Sequence, residues 1–129
     1  MFPGYFSADA STGHYFTRPE LYNRDRPLFK KYIPICKRVA EAGWEPVTCA
    51  LSDNASIIVE RFGTQPRPCY LTVYNLGETR QKAVLTLTSL SAKAPCHELV
   101  SQGEIFWRNK QTEIELDEGD VRVIALGSR

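Results

Sequence analysis

Glu41-Ala42-Gly43-Trp44-Glu45-Pro46-Val47 is where this chain changes period. Upstream, Leu28, Tyr32, Ile35, Val39 and Ala42 recur every three or four residues, which puts them on one apolar stripe of a helix. Asp25 is the expected start, since its carboxylate can accept from the free N–H groups of a first turn, and Pro27 then falls early enough to be tolerated. Pro34 removes one backbone hydrogen bond, at about 3 kcal/mol in a regular helix, and predicts a kink. Gly43 suits the left-handed residue that closes a helix. A shorter helical turn is expected from Pro19, with Thr17 or Arg18 before it.

Downstream the pattern is that of strands and turns. Ala83, Leu85 and Leu87 alternate with Val84, Thr86 and Thr88, as in a half-buried antiparallel strand. Strands are also expected over 47–51, 57–62, 69–75, 97–100, 103–108, 112–116 and 121–126, with turns over 63–68, 75–78, 101–103 and 117–120. Seven or eight short strands with no helix between them predict an antiparallel β-sandwich or barrel over residues 46–129, preceded by an aromatic-rich segment and helix over 1–45. Of these the sandwich with an N-terminal helix is the fold class expected.

Composition sets limits on function. The chain has 129 residues, 43% of them hydrophobic and 24% charged, with a net charge of +1. That is enough chain for one domain with a real core, and too little charge to steer nucleic acid or an anionic membrane. No apolar run reaches membrane-spanning length and the N-terminus has no secretory pattern, so the expectation is a cytoplasmic location with no nucleic-acid or membrane partner. Cys36, Cys49, Cys69 and Cys96 are widely spaced, with only His14 and His97 to join them, and read as free thiols rather than a metal site. A Cys49–Cys69 bridge stays open at this stage, because it turns on a Cα separation that spacing does not give. No cofactor motif is present, since Gly119 and Gly127 stand alone.

Three segments together carry a resemblance: Arg24-Asp25-Arg26-Pro27-Leu28-Phe29-Lys30-Lys31-Tyr32-Ile33-Pro34, the junction Ala42 to Val47, and the closing Leu116-Asp117-Glu118-Gly119-Asp120-Val121-Arg122-Val123. The chain resembles the tail of a multidomain glycoside hydrolase, in which the last helices of a (β/α)8 barrel run into a C-terminal β-sandwich. In that resemblance Ile57 to Phe62 and Tyr70 to Leu76 match the opening strands of the sandwich. A barrel takes about 250 residues and places its active site on loops at the strand ends, so the resemblance implies a noncatalytic domain to which no catalytic residue carries over.

The residues give the same expectation. Glycoside hydrolysis needs two carboxyl groups about 5 to 9.5 Å apart across the bond. Asp117, Glu118 and Asp120 crowd one turn beside Gly119 and are expected to serve it, while Glu113 and Glu115 read as the solvated face of a strand. His97 follows Cys96 directly, and neighbours on a strand point to opposite faces. No catalytic residue is therefore assigned. For carbohydrate, an aromatic platform from Phe106, Trp107 and Arg108, with Trp44 and Tyr74 in addition, is the candidate site, set against one of Phe106 and Trp107 turning into the core. Trp44 also reads as a staple from helix end to sandwich.

The apolar stripe of the helix, Leu28, Tyr32, Ile35 and Val39, needs a cover. The expectations are packing on the chain's own sandwich, a homodimer through the helix, or an absent barrel domain. Function is thus expected to be support of a catalytic domain or assembly, with a carbohydrate-binding module as the alternative and a small enzyme with a site between subunits as the weaker one.

Overall fold

The computed structural model describes residues 19–92 and 95–127, so the aromatics Phe2, Tyr5, Phe6, Tyr15 and Phe16 lie outside the described residues. The chain divides into two compact units, Met1–Pro34 and Ile35–Arg129. Helix α1 spans Pro19–Ala42 and is continuous through Pro27 and Pro34, so the short turn and the main helix expected separately are one element. Asp25 consequently lies within the helix, where it takes two hydrogen bonds from the neighbouring Arg24 guanidinium at 2.7 and 2.9 Å instead of capping a first turn. Pro19, at the first position, loses no helical bond, and Glu20 supplies the favourable negative charge there. Gly43 ends the helix at φ +82°, as the sequence predicts.

Nine strands follow among the described residues: β1 (Trp44–Glu45), β2 (Ala50–Ser52), β3 (Ile57–Phe62), β4 (Tyr70–Asn75), β5 (Gln81–Leu87), β6 (Cys96–Glu98), β7 (Glu104–Ile105), β8 (Gln111–Leu116) and β9 (Val121–Ala125). They form a six-stranded sheet in the order β1-β3-β4-β9-β6-β7 and a three-stranded sheet in the order β2-β5-β8. Every pairing between them is antiparallel. This is the β-sandwich with an N-terminal helix that the strand spacing predicts.

The interior follows from alternation. Leu71, Val73, Ile57 and Ile124 from one sheet meet Ala83, Leu85, Leu87, Ile114 and Leu116 from the other in one buried cluster. Arg61, Asn75, Glu98 and Thr112 are the buried polar side chains among the described residues, and Asn75 and Glu98 are the most deeply buried. Asn75 donates to the carbonyls of Thr79, Leu116 and Asp117 and accepts from the Gly77 N–H, tying the β4–β5 turn to the end of β8. Glu98 accepts from the N–H groups of Val100, Ser101 and Val123 and from the Ser101 hydroxyl.

Gly63 is needed where β3 turns towards β4: its φ is +81°, and an added Cβ would lie 2.1 Å from the Pro68 carbonyl oxygen. Its N–H also donates to the Gly43 carbonyl at 2.7 Å, fastening the loop to the end of the helix.

Candidate functional site

The sheet registers decide what each outer face carries. On the three-stranded sheet the outward positions are Leu51 and Ser52's neighbour Asp53, then Lys82, Val84 and Thr86, then Gln111, Glu113 and Glu115. Lys82 lies 3.4 Å from Glu115, and Arg80 reaches both Glu115 and Asp117. The Arg80 hydrogen bond and charge hold the Asp117 carboxyl below the usual carboxylate range. Asp117 and Asp120 are thus turn and ion-pair residues, Asp120 pairing with Arg122 at 3.0 Å.

The outer face of the six-stranded sheet is different in kind. One row across it runs Trp44, Phe62, Tyr70, Ala125, His97 and Glu104. A second runs Glu60, Thr72 and Val123, and a third Ile58, Tyr74 and Val121. Part of this face is covered: Val39, Val100 and Val123 are buried without belonging to the cluster between the sheets. The remainder is open and mixed: Ile58, Tyr74 and Leu76 are exposed and Trp44 is 60% exposed, with the exposed carboxylates Glu60 and Glu104 on the same face.

Two cavities border the covered part. One, of about 290 Å³, is lined by Arg38, Glu41, Glu45, Thr64, Arg67 and Tyr70 among others. The second, of about 360 Å³, has Arg38, Pro68, Tyr70, His97, Leu99 and Ala125 in its wall. They meet at Arg38, Pro68 and Tyr70. The carboxylates here are engaged. Glu45 accepts from Arg61 at 3.4 Å and from the Thr64 hydroxyl at 2.8 Å, and Glu41 lies 3.8 Å from Lys37.

The five aromatic and basic residues singled out in the sequence do not form one platform. Trp44 and Tyr74 share the outer face of the six-stranded sheet, in different rows. Phe106, Trp107 and Arg108 lie on the connection from β7 to β8, where Arg108 pairs with Gln111 around Asn109 and Lys110, both at positive φ. Phe106 is 57% exposed, whereas Trp107 packs against the core. The Trp107 indole nitrogen is buried and meets no acceptor at hydrogen-bond geometry, though its N–H is close enough to the Cys96 sulfur to favour the thiolate. Burial is the larger influence there and raises the Cys96 thiol. Burial likewise raises Cys69, outweighing the nearby Arg61 charge, so both thiols are held protonated and poorly nucleophilic. No disulfide joins Cys49 and Cys69.

Along the helix stripe, burial rises towards the C-terminal end: Leu28 is 51% exposed, Tyr32 and Ile35 are half-buried, and Val39 is buried. Among the described residues no three His, Cys, Asp or Glu side chains converge as a metal site requires, and no helix is long and apolar enough to cross a membrane.

No family model matches the sequence and no curated protein matches it. Among solved structures, an Anoxybacillus alpha-amylase described as a new glycosyl hydrolase subclass is similar at a TM-score of 0.47 and 14% identity. The alignment covers 59% of this chain and 16% of that one.

Proposed function

We propose that the chain is a noncatalytic β-sandwich domain of the glycoside hydrolase kind, and that the outer face of its six-stranded sheet is the surface it offers to a catalytic domain. The observation that carries this reading is a difference of degree between the two outer faces: Arg80, Lys82, Glu115 and Asp117 form ion pairs at the three-stranded sheet, which exposes Leu51, whereas the six-stranded sheet exposes Ile58, Tyr74 and Trp44 beside Glu60. An apolar patch on a sheet face marks an interaction surface more often than a site of chemistry. The resemblance of the helix-to-sandwich junction points to a (β/α)8 barrel as what it meets.

A carbohydrate-binding role draws on the exposed rings of Phe106 and Trp44 and is the second reading. One panel separates the two. Purified chain is assayed on chromogenic glycosides and titrated with glycans while tryptophan fluorescence is followed; the accessory reading expects neither turnover nor a spectral shift. A shift lost in Trp44→Ala or Phe106→Ala would favour the carbohydrate module. Hydrolysis abolished by Glu45→Gln would overturn both, because Glu41 and Glu45 are the carboxylates that border one cavity.

A further inference from the structure

The cleft formed by the two adjoining cavities goes beyond the docking role, because its chemistry is that of a small-molecule site. Its wall is built from distant parts of the chain. Arg38 comes from the last turns of the helix, Thr64 and Arg67 from the β3–β4 loop, and Tyr70 and His97 from strands that flank β9. Register puts Tyr70, Ala125 and His97 in one row, so the phenol ring and the imidazole face the same side of the sheet.

The wall holds two carboxylates, Glu41 and Glu45, and two arginines, Arg38 and Arg67, and only the carboxylates are paired. Glu45 is matched by Arg61 and Glu41 by Lys37. Arg38 and Arg67, both exposed, have no ion-pair partner among the described residues, in common with Arg26 and Arg108 and unlike Arg61, Arg80 and Arg122. Arg38 and Tyr70 line both cavities and Arg67 lines one of them, with Pro68, Leu99 and Ala125 as apolar wall. A planar guanidinium presents a fork of N–H donors that fits a carboxylate or phosphate, and the cavity volumes are close to the roughly 300 Å³ at which small-molecule sites begin.

We propose that this cleft binds a small organic oxyanion, a carboxylate or phosphate carried on a ring of monosaccharide size. Arg38 and Arg67 bind the charged group, Thr64 and His97 offer polar contacts to the ring substituents, and Tyr70 supports the ring face.

The test titrates the whole chain with glucuronate, with glucose 6-phosphate and with neutral glucose, following backbone amide resonances by NMR. Saturable shifts at Thr64, Arg67, Tyr70 and His97 are expected with at least one anion and not with glucose; which anion binds identifies the charged group. Arg38→Gln and Arg67→Gln should each weaken binding about tenfold, the loss expected for one charge-assisted hydrogen bond, while Arg108→Gln outside the cleft should not. Thermal melts check that each variant is folded, with Arg67→Lys as the substitute where a neutral variant is not. Absence of saturable shifts, equal binding of glucose, or equal weakening by Arg108→Gln would overturn the proposal.

Discussion

The two outer faces of the sandwich rest on the same interior yet solve opposite problems. On the three-stranded sheet Lys82, Glu113, Glu115 and Thr86 stay in water and pair with one another where they can. On the six-stranded sheet Ile58, Phe62, Tyr70, Tyr74 and Val123 occupy equivalent outward positions with Glu60 and Thr72 among them, some covered and some open. A sheet needs only one apolar face to form a sandwich; part of the second face is covered within the chain at Val39, Val100 and Val123, and under the proposed function the open part at Ile58 and Tyr74 is left for a further contact.

That distinction is broken most severely if inside and outside turn out to matter alike. Leu85 is fully buried between the sheets and Leu76 is 61% exposed. Leu85→Ala should cost about 3 kcal/mol of stability and Leu76→Ala less than about 0.5, measured by urea unfolding. Comparable losses would mean that the outer face is packed within the chain.

Glu98 sharpens the comparison within the six-stranded sheet, because its carboxylate fastens the Val100–Ser101 turn to β9 beside the covered part of the face. Burial by itself would raise this carboxyl, but hydrogen bonds from Ser101, Val123 and Val100 outweigh it and hold it below its ordinary 4.5. Glu98→Gln should cost about 2 kcal/mol at neutral pH. The sign of the pH effect follows: the unfolded chain binds this proton more readily, so Glu98 stabilises fully above the ordinary value and its contribution is lost as pH falls through the depressed one. Unfolding free energies from pH 7 downward should therefore fall more steeply for the wild type than for Glu98→Gln.

The smallest effect is expected on the charged face. Glu115→Lys removes the partner of Lys82 and one partner of Arg80, and should lower stability slightly at low ionic strength and negligibly in high salt. A loss that survives high salt would show these pairs to be structural.

Much of the fold was legible because it depends on short-range pattern. Ala83, Leu85 and Leu87 are all buried while Val84 and Thr86 are not, and Glu113 and Glu115 form the open side of β8, as alternation requires. Gly43 closes the helix for a purely local reason. Pattern alone puts the helix start at Asp25, because Pro27 suits an early turn, whereas the helix holds Pro27 in its interior and begins at Pro19. The cleft could not be read from the sequence at all: Arg38, Arg67, Tyr70 and His97 meet only through loop closure and the β4–β9–β6 register, neither of which leaves a local signature. Trp107 was recognisable as an important aromatic, but whether it or Phe106 turned inwards depended on the crossover between sheets.

The contrast between faces is tested most directly by titrating the folded chain with an environment-sensitive hydrophobic dye such as ANS, comparing Ile58→Lys/Tyr74→Glu on the six-stranded sheet with Val84→Lys/Thr86→Glu on the three-stranded one. Dye fluorescence should fall sharply in the first pair and stay near the wild-type level in the second, with both variants melting cooperatively. Equal fluorescence from all three proteins, or loss in the second pair alone, would contradict the account.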